Sequence, residues 1–231
     1  MNLDVLPKLT TDQLARVAKT LTHPRLGKYL RAANNDDQQA LRLYVLNSKV
    51  GAALMTDLHY AEVALRNRFA DELAVKFGPG WYKAPAFLNL VDVGAQKILR
   101  KAEKAAGKHW SGPLPLPDGK VIAELTFGFW VSLTDPGLEH KLWVPCLHKA
   151  FAPRKPPKRA VFNQLLEKLR QLRNRIAHHE PVFHLDLVDA HRKIVAVEQL
   201  LCPTTVQVML ATSSVKRQVM ALTRFRKQRG L

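Results

Sequence analysis

Arg173, Asn174 and His178 stand close together in the strip Arg173-Asn174-Arg175-Ile176-Ala177-His178-His179-Glu180. An imidazole with an ordinary pKa of about 6.5 accepts or donates a proton near neutral pH. A guanidinium presents a fixed cationic fork to phosphate oxygens. Asn174 adds an amide able to orient the imidazole or the phosphate. The set suits acid–base chemistry at a phosphate ester. His179 is a further candidate, and equally a packing or interface histidine. An arginine and a histidine at this spacing recur by chance in a chain rich in both, so the longer string carries the specificity.

The strip must be positioned by a helix, which the periodicity predicts from Ala160 to about His179, ahead of Pro181. Leu165, Leu169, Leu172, Ile176 and His179 step by four or three, the spacing of a packing seam. Asn174 and His178 share one face beside it. Arg173 lies five positions before His178, about 140° away around an ideal helix. Three routes bring the two together: a loosened last turn, an Arg173 side chain that reaches around, or a second copy of the helix across a two-fold interface. The last, helped by the second, is the favoured one.

The rest of the chain reads as helices. Thr11 to about Thr22 is periodic, and Pro24 opens a short helix ending near Asn34-Asn35. Asp36 to about Phe77 carries Leu43, Leu46, Val50, Leu54, Leu58, Ala61, Leu65 and Phe69 as one stripe, on one helix or on two meeting at Gly51. Gly78-Pro79-Gly80 ends it. Further helices are expected over Val91–Ala106, Val121–Leu133, Asp135 through Leu147, and Asp186–Leu201, with another from Pro203 into the basic tail. The proline-rich run Gly112–Gly119 is a surface loop and Pro153–Arg159 a basic linker. No alternating pattern marks a sheet, so the fold class is all-α. The organisation expected is an N-terminal helical extension (1–35), a main helical domain (36–203) and a C-terminal helix with a basic tail (204–231).

Lysine and arginine number 36 against 19 acidic residues, a net charge of +17. Such a field favours a polyanion: RNA, DNA or an anionic membrane surface. The phosphate-tracking candidates are Lys97, Arg100, Lys101 and Lys104 on one helix, Arg154, Lys155, Lys158 and Arg159 in the linker, and Arg224 and Arg226 in the tail. Solvated surface is the alternative for each. Phe225 offers a ring for stacking on a base, but Val215–Arg229 has few large apolar residues for a membrane face, so no membrane partner is expected. Cys146 and Cys202 form no disulfide framework or zinc knuckle, and His178, His179, His184 and His191 have no zinc spacing; neither metal nor cofactor is expected. Met1-Asn2-Leu3-Asp4 does not read as a signal peptide, and no run of apolar residues is long enough to span a bilayer, so a cytoplasmic protein is expected.

The run Leu172 to Pro181 resembles the signature of the Abi-like (abortive infection) family within the HEPN superfamily. The family's Arg-x-x-x-x-His element maps onto Arg173 and His178, with Asn174 as the polar residue after the arginine. Tyr44, Asn47 and Leu58–Asn67 resemble its N-terminal helix, and Phe127–Leu133 with Leu142-Trp143 its middle. The resemblance covers roughly residues 36 to 200. It implies a HEPN-type helical bundle with additional helices, a homodimer, and an endoribonuclease that cuts RNA without a metal. The 2′-hydroxyl would attack the phosphate, with Arg173, Asn174, His178 and His179 catalytic. Glu62, Arg66 and Asn67 read as polar support for the motif helix or as a plain exposed ion pair. Phage defence is implied, including as the toxin of a toxin–antitoxin pair restrained by a structured RNA or a protein antitoxin. The rival reading is a non-catalytic module of the same type that binds RNA or a partner protein.

Overall fold

The computed structural model describes residues 6–112, 115–151 and 155–229, and among them there is no strand. Arg154, Pro113, Leu114 and Met1–Asp4 lie outside the described residues. The fold is all-α, as the periodicity requires. By its contacts the chain forms two compact units. The first takes the described residues up to Leu58, Leu172–Arg192 and those from Met209 onward; the second takes His59–Gln171 and Lys193–Val208.

In the first unit, helix α1 (Thr11–Leu21) starts with a reciprocal cap in which Thr10 and Gln13 each bond the other's backbone. Helix α2 is His23–Ala32, with Pro24 in its first turn. Asn34 and Asn35 then take left-handed backbone angles (φ 52° and 60°), a conformation Asn tolerates, and reverse the chain into α3. Helix α3 (Asp37–Phe77) is one continuous rod, and every residue of the expected stripe is buried. Gly51 does not break it; a Cβ at this position would sit 3.4 Å from Ile176 Cγ2, about van der Waals contact.

Asp57, on α3, clamps this unit. One of its oxygens accepts from Ser213 Oγ at 2.6 Å and pairs with His191 Nε2 at 2.8 Å. The serine bonds the carboxylate, so the three do not form a nucleophile–base relay. Ser213 and Ser214 are also where the expected C-terminal helix breaks, into α10 (Pro203–Thr212) and α11 (Val215–Arg229).

The second unit is built on two aromatic clusters. Trp81 packs on Phe87 and Trp130 at 5.0 and 5.9 Å between ring centres. Phe162 packs on Phe151 and Trp143 at 5.0 and 5.9 Å. Helix α4 is Pro85–Leu88, and α5 (Val93–Lys108) buries Ala95, Leu99, Ala102 and Ala106. Asp118 accepts from Gly80 N and Tyr82 Oη, and burial, with that carboxylate, pushes the Tyr82 hydroxyl up to about 12.

Three expected elements differ. The helix over Val121–Leu133 is split into α6 (Asp118–Glu124) and α7 (Phe127–Ser132), because Leu125 is extended and Thr126 caps the next helix through Phe129 N. The stretch from Asp135 onward is not a regular α-helix: a 3-10 turn at Pro136–Leu138, a π-turn at Glu139–Trp143, and another 3-10 stretch at Leu147–Phe151. The motif helix, α8 (Arg159–Ala177), begins inside the expected linker and stops two residues early. Its buried apolar line is Phe162, Leu166, Leu169 and Leu172, with Leu165 and Ile176 only half-buried and His179 exposed. Helix α9 runs Leu187–Leu201, its first turn capped by Asp186 through Asp189 N.

Candidate functional site

The end of α8 is a built terminus. His179 N donates to Ile176 O at 2.9 Å and Glu180 N to Arg175 O at 2.8 Å, the two crossed bonds of a Schellman closure. Such a closure needs a left-handed residue just past the helix, and His179 fills it at φ 56°. A glycine adopts this angle without strain, whereas a side chain costs about 1 kcal/mol or more. His179 therefore leaves the packing line by necessity: had α8 continued, Pro181 would have met the helix with no amide hydrogen to donate. His179 is thus exposed and off the packing seam on which its spacing placed it.

Several side chains of the first unit fix this terminus. Arg25 Nη1, from α2, donates to His178 O at 3.2 Å and His179 O at 2.7 Å, placing a cation on carbonyls that the helix leaves unsatisfied. Arg175 Nε stands 3.7 Å from Glu180 Oε2, and its Nη1 3.4 Å from His184 Nε2. Asn47 Oδ1, buried on α3, accepts from Val182 N at 2.7 Å and Phe183 N at 3.0 Å, pinning the chain that follows the motif. Arg226 Nη1 donates to Phe183 O at 3.2 Å.

His178 itself is exposed, at the cap of α8, with its amide bonded to Asn174 O at 2.9 Å. Asn174 and Arg173 are half-buried on the turn before it. The surroundings are cationic. His184 is held below its ordinary value by burial, then by Arg175, Lys28 and Arg226. The terminus thus combines an exposed His178, an Arg25 cation on its backbone carbonyl, and an Arg175 that stands between Glu180 and His184.

Glu62 and Arg66 are half-buried and Asn67 exposed, all on the part of α3 in the second unit. Lys97, Arg100, Lys101 and Lys104 are exposed together on α5, and Lys155 and Lys158 are exposed before α8. Arg159 is different. Only 7% exposed, it donates through Nε to Glu139 Oε2 at 2.9 Å and through Nη1 to Thr134 O at 2.8 Å, so it holds the second unit together and offers no charge to a phosphate chain. Arg224 is exposed and Arg226 half-buried. Phe225 is buried, so it serves the core and not base stacking.

Sequence reasoning missed Arg25. Nothing in its neighbourhood marks it, because its partners are carbonyls more than 150 residues away. Asn47 carried a signal, a lone amide on an apolar stripe, but no role. Among the described residues no group of three or more His, Cys, Asp or Glu is placed to hold a metal ion, and no helix is long and apolar enough to cross a membrane.

No curated protein and no solved structure matches the chain. The family model of the Abi-like proteins, however, matches residues 14–184, a span that runs from α1 through all of α3 to the end of the Arg173–Glu180 strip. On that match, over well more than half its length, the chain belongs to the Abi-like protein family.

Proposed function

We propose that the protein is a HEPN endoribonuclease acting in phage defence by abortive infection, working as a homodimer and without a metal ion. The observation that carries this reading is the exposed His178 at a fixed, cation-lined helix terminus in a chain of the Abi-like family. His178 takes the proton of the RNA 2′-hydroxyl, or gives one to the departing 5′-oxygen, and the paired copy's motif serves the opposite transfer. The 2′-oxygen bonds to phosphorus as the P–O5′ bond breaks, leaving a 2′,3′-cyclic phosphate and a 5′-hydroxyl. Arg173 binds the non-bridging oxygens as charge builds on them, and Asn174 orients the imidazole. DNA lacks the nucleophile and is not cut. A nuclease of this kind is restrained in the cell, as the toxin of a toxin–antitoxin pair is, by a structured RNA or protein antitoxin.

The test is purified protein with total RNA in chelator, comparing wild type with His178→Ala and Arg173→Ala, with fragment ends mapped. Expected are cyclic-phosphate ends from the wild type and at least a hundredfold less cutting by either variant. Equal survival of RNA with all three proteins, while each still binds it, replaces this reading with the non-catalytic one.

A further inference from the structure

Helix α11 (Val215–Arg229) contains no acidic residue, and it lies wholly beyond the span matched by the family model, which ends at residue 184. Its place in the first unit is fixed from both ends. Ser213, just before it, bonds Asp57 of α3. Near its end Arg226 Nη1 donates to Phe183 O at 3.2 Å, five residues on from His178. Val215, Gln218, Leu222 and Phe225 are buried along its inner side.

That leaves one outward face. Lys216, Arg217, Arg224 and Lys227 are all exposed, and on an ideal helix they fall within about 100° of one another, opposite the buried line. They span about 17 Å of helix axis. Among the described residues none of the four is in an ion pair, whereas Arg159, Arg170, Arg175 and Arg192 each stand beside an acid. Unpaired cations held in one row on a fixed helix match a polyanion, whose counterions they displace. Met220 is the one large apolar side chain exposed on α11, too little for a helix lying in a lipid surface. The row also leads to the motif: Arg226, beside Lys227, and Lys28 of α2 both act on His184, so cations of two helices meet next to the chain that follows His178.

We propose that the outer face of α11 is a docking track for the phosphate backbone of RNA, with Lys216, Arg217, Arg224 and Lys227 as its contacts, leading the strand toward His178. That the polyanion is RNA rests on the nuclease reading; the track itself rests on α11. Backbone contacts of this kind position a strand without reading its sequence.

The test measures binding of a labelled single-stranded RNA oligomer over a range of salt concentrations, in His178→Ala protein so that no RNA is cut. One variant combines Lys216→Gln, Arg217→Gln, Arg224→Gln and Lys227→Gln. A second removes the same charge from α5 by Lys97→Gln, Arg100→Gln, Lys101→Gln and Lys104→Gln. All eight positions are exposed, so neither set enters the core. Expected for the α11 set are at least tenfold weaker binding and a salt slope smaller by about 3, four contacts at about 0.7 each, with the α5 set losing less than half as much. If the fourfold α11 variant does not fold, Arg224→Gln with Lys227→Gln replaces it, with half that drop in slope expected. Equal losses in the two sets make net charge the cause and overturn the track, as do a loss confined to the α5 set and an absence of RNA binding. Binding to anionic vesicles that falls with the α11 set while RNA binding holds makes α11 a membrane contact and overturns it too. With His178 intact, the α11 set should raise KM for RNA by a larger factor than it lowers kcat. RNA bound on α11 but never cut removes the nuclease alone, and RNA cut with KM unmoved by the α11 set removes the track alone.

Discussion

Glu198, on α9 in the second unit, is fully buried, and neither of its carboxylate oxygens has a hydrogen-bond partner. Burial pushes it from an ordinary 4.5 up to about 7. An acid raised on folding is held neutral by the fold: its contribution to stability is whole below pH 4.5 and is lost as pH rises through about 7. At about 1.4 kcal/mol per pH unit, that interval makes the ionised form cost about 3 kcal/mol. Glu198→Gln removes the charge and keeps the shape. The variant should exceed the wild type by about 1 kcal/mol at pH 5 and by about 3 kcal/mol at pH 8. With a urea slope of about 2–3 kcal/mol per molar, that is a midpoint shift on the order of 1 M. Urea unfolding followed by circular dichroism at both pH values measures it. A Glu198→Gln difference that is the same at pH 5 and pH 8 would refute the reasoning, since only ionisation is invoked.

Two predictions concern the motif terminus. His179→Gly relieves the left-handed strain at the end of α8, where φ is 56°, and should raise stability by about 0.5–1 kcal/mol; a melting temperature that falls would mean the imidazole holds the turn through contacts of its own. His184 should titrate below 6.5 in the free protein, observed by NMR of its ring protons, and its value should rise when phosphate or RNA occupies the cationic terminus, because a bound anion offsets Arg175, Lys28 and Arg226. An unmoved His184 under saturating RNA would place the RNA elsewhere.

Much of the helical framework is legible in sequence because local pattern suffices for it. The stripe from Leu43 to Phe69 is buried as its spacing demands, and Asn34-Asn35 and Gly78-Pro79-Gly80 end helices through their own backbone preferences. Expectations go astray where a long-range partner overrides the local signal. Arg159 looks like one more residue of a basic linker, but Glu139 and Thr134 draw it into the interior. Phe225, set among arginines, reads as a surface ring until the first unit closes over it. The helix from Val121 breaks at Leu125-Thr126, where a threonine cap competes with an apolar run that periodicity alone would continue.

The Arg173–His178 strip divides the same way. By itself the sequence determined the residue types, their place on the last turns of a helix before Pro181, and the offset between Arg173 and His178, because these follow from chemistry and helical geometry. Only the tertiary structure decided that α8 stops at Ala177, that His179 turns left-handed, and that Arg25 and Asn47 hold the turn. Each of those depends on groups far apart in sequence, whose meeting is set by packing and by the need to satisfy buried or terminal polar atoms, which no local pattern encodes.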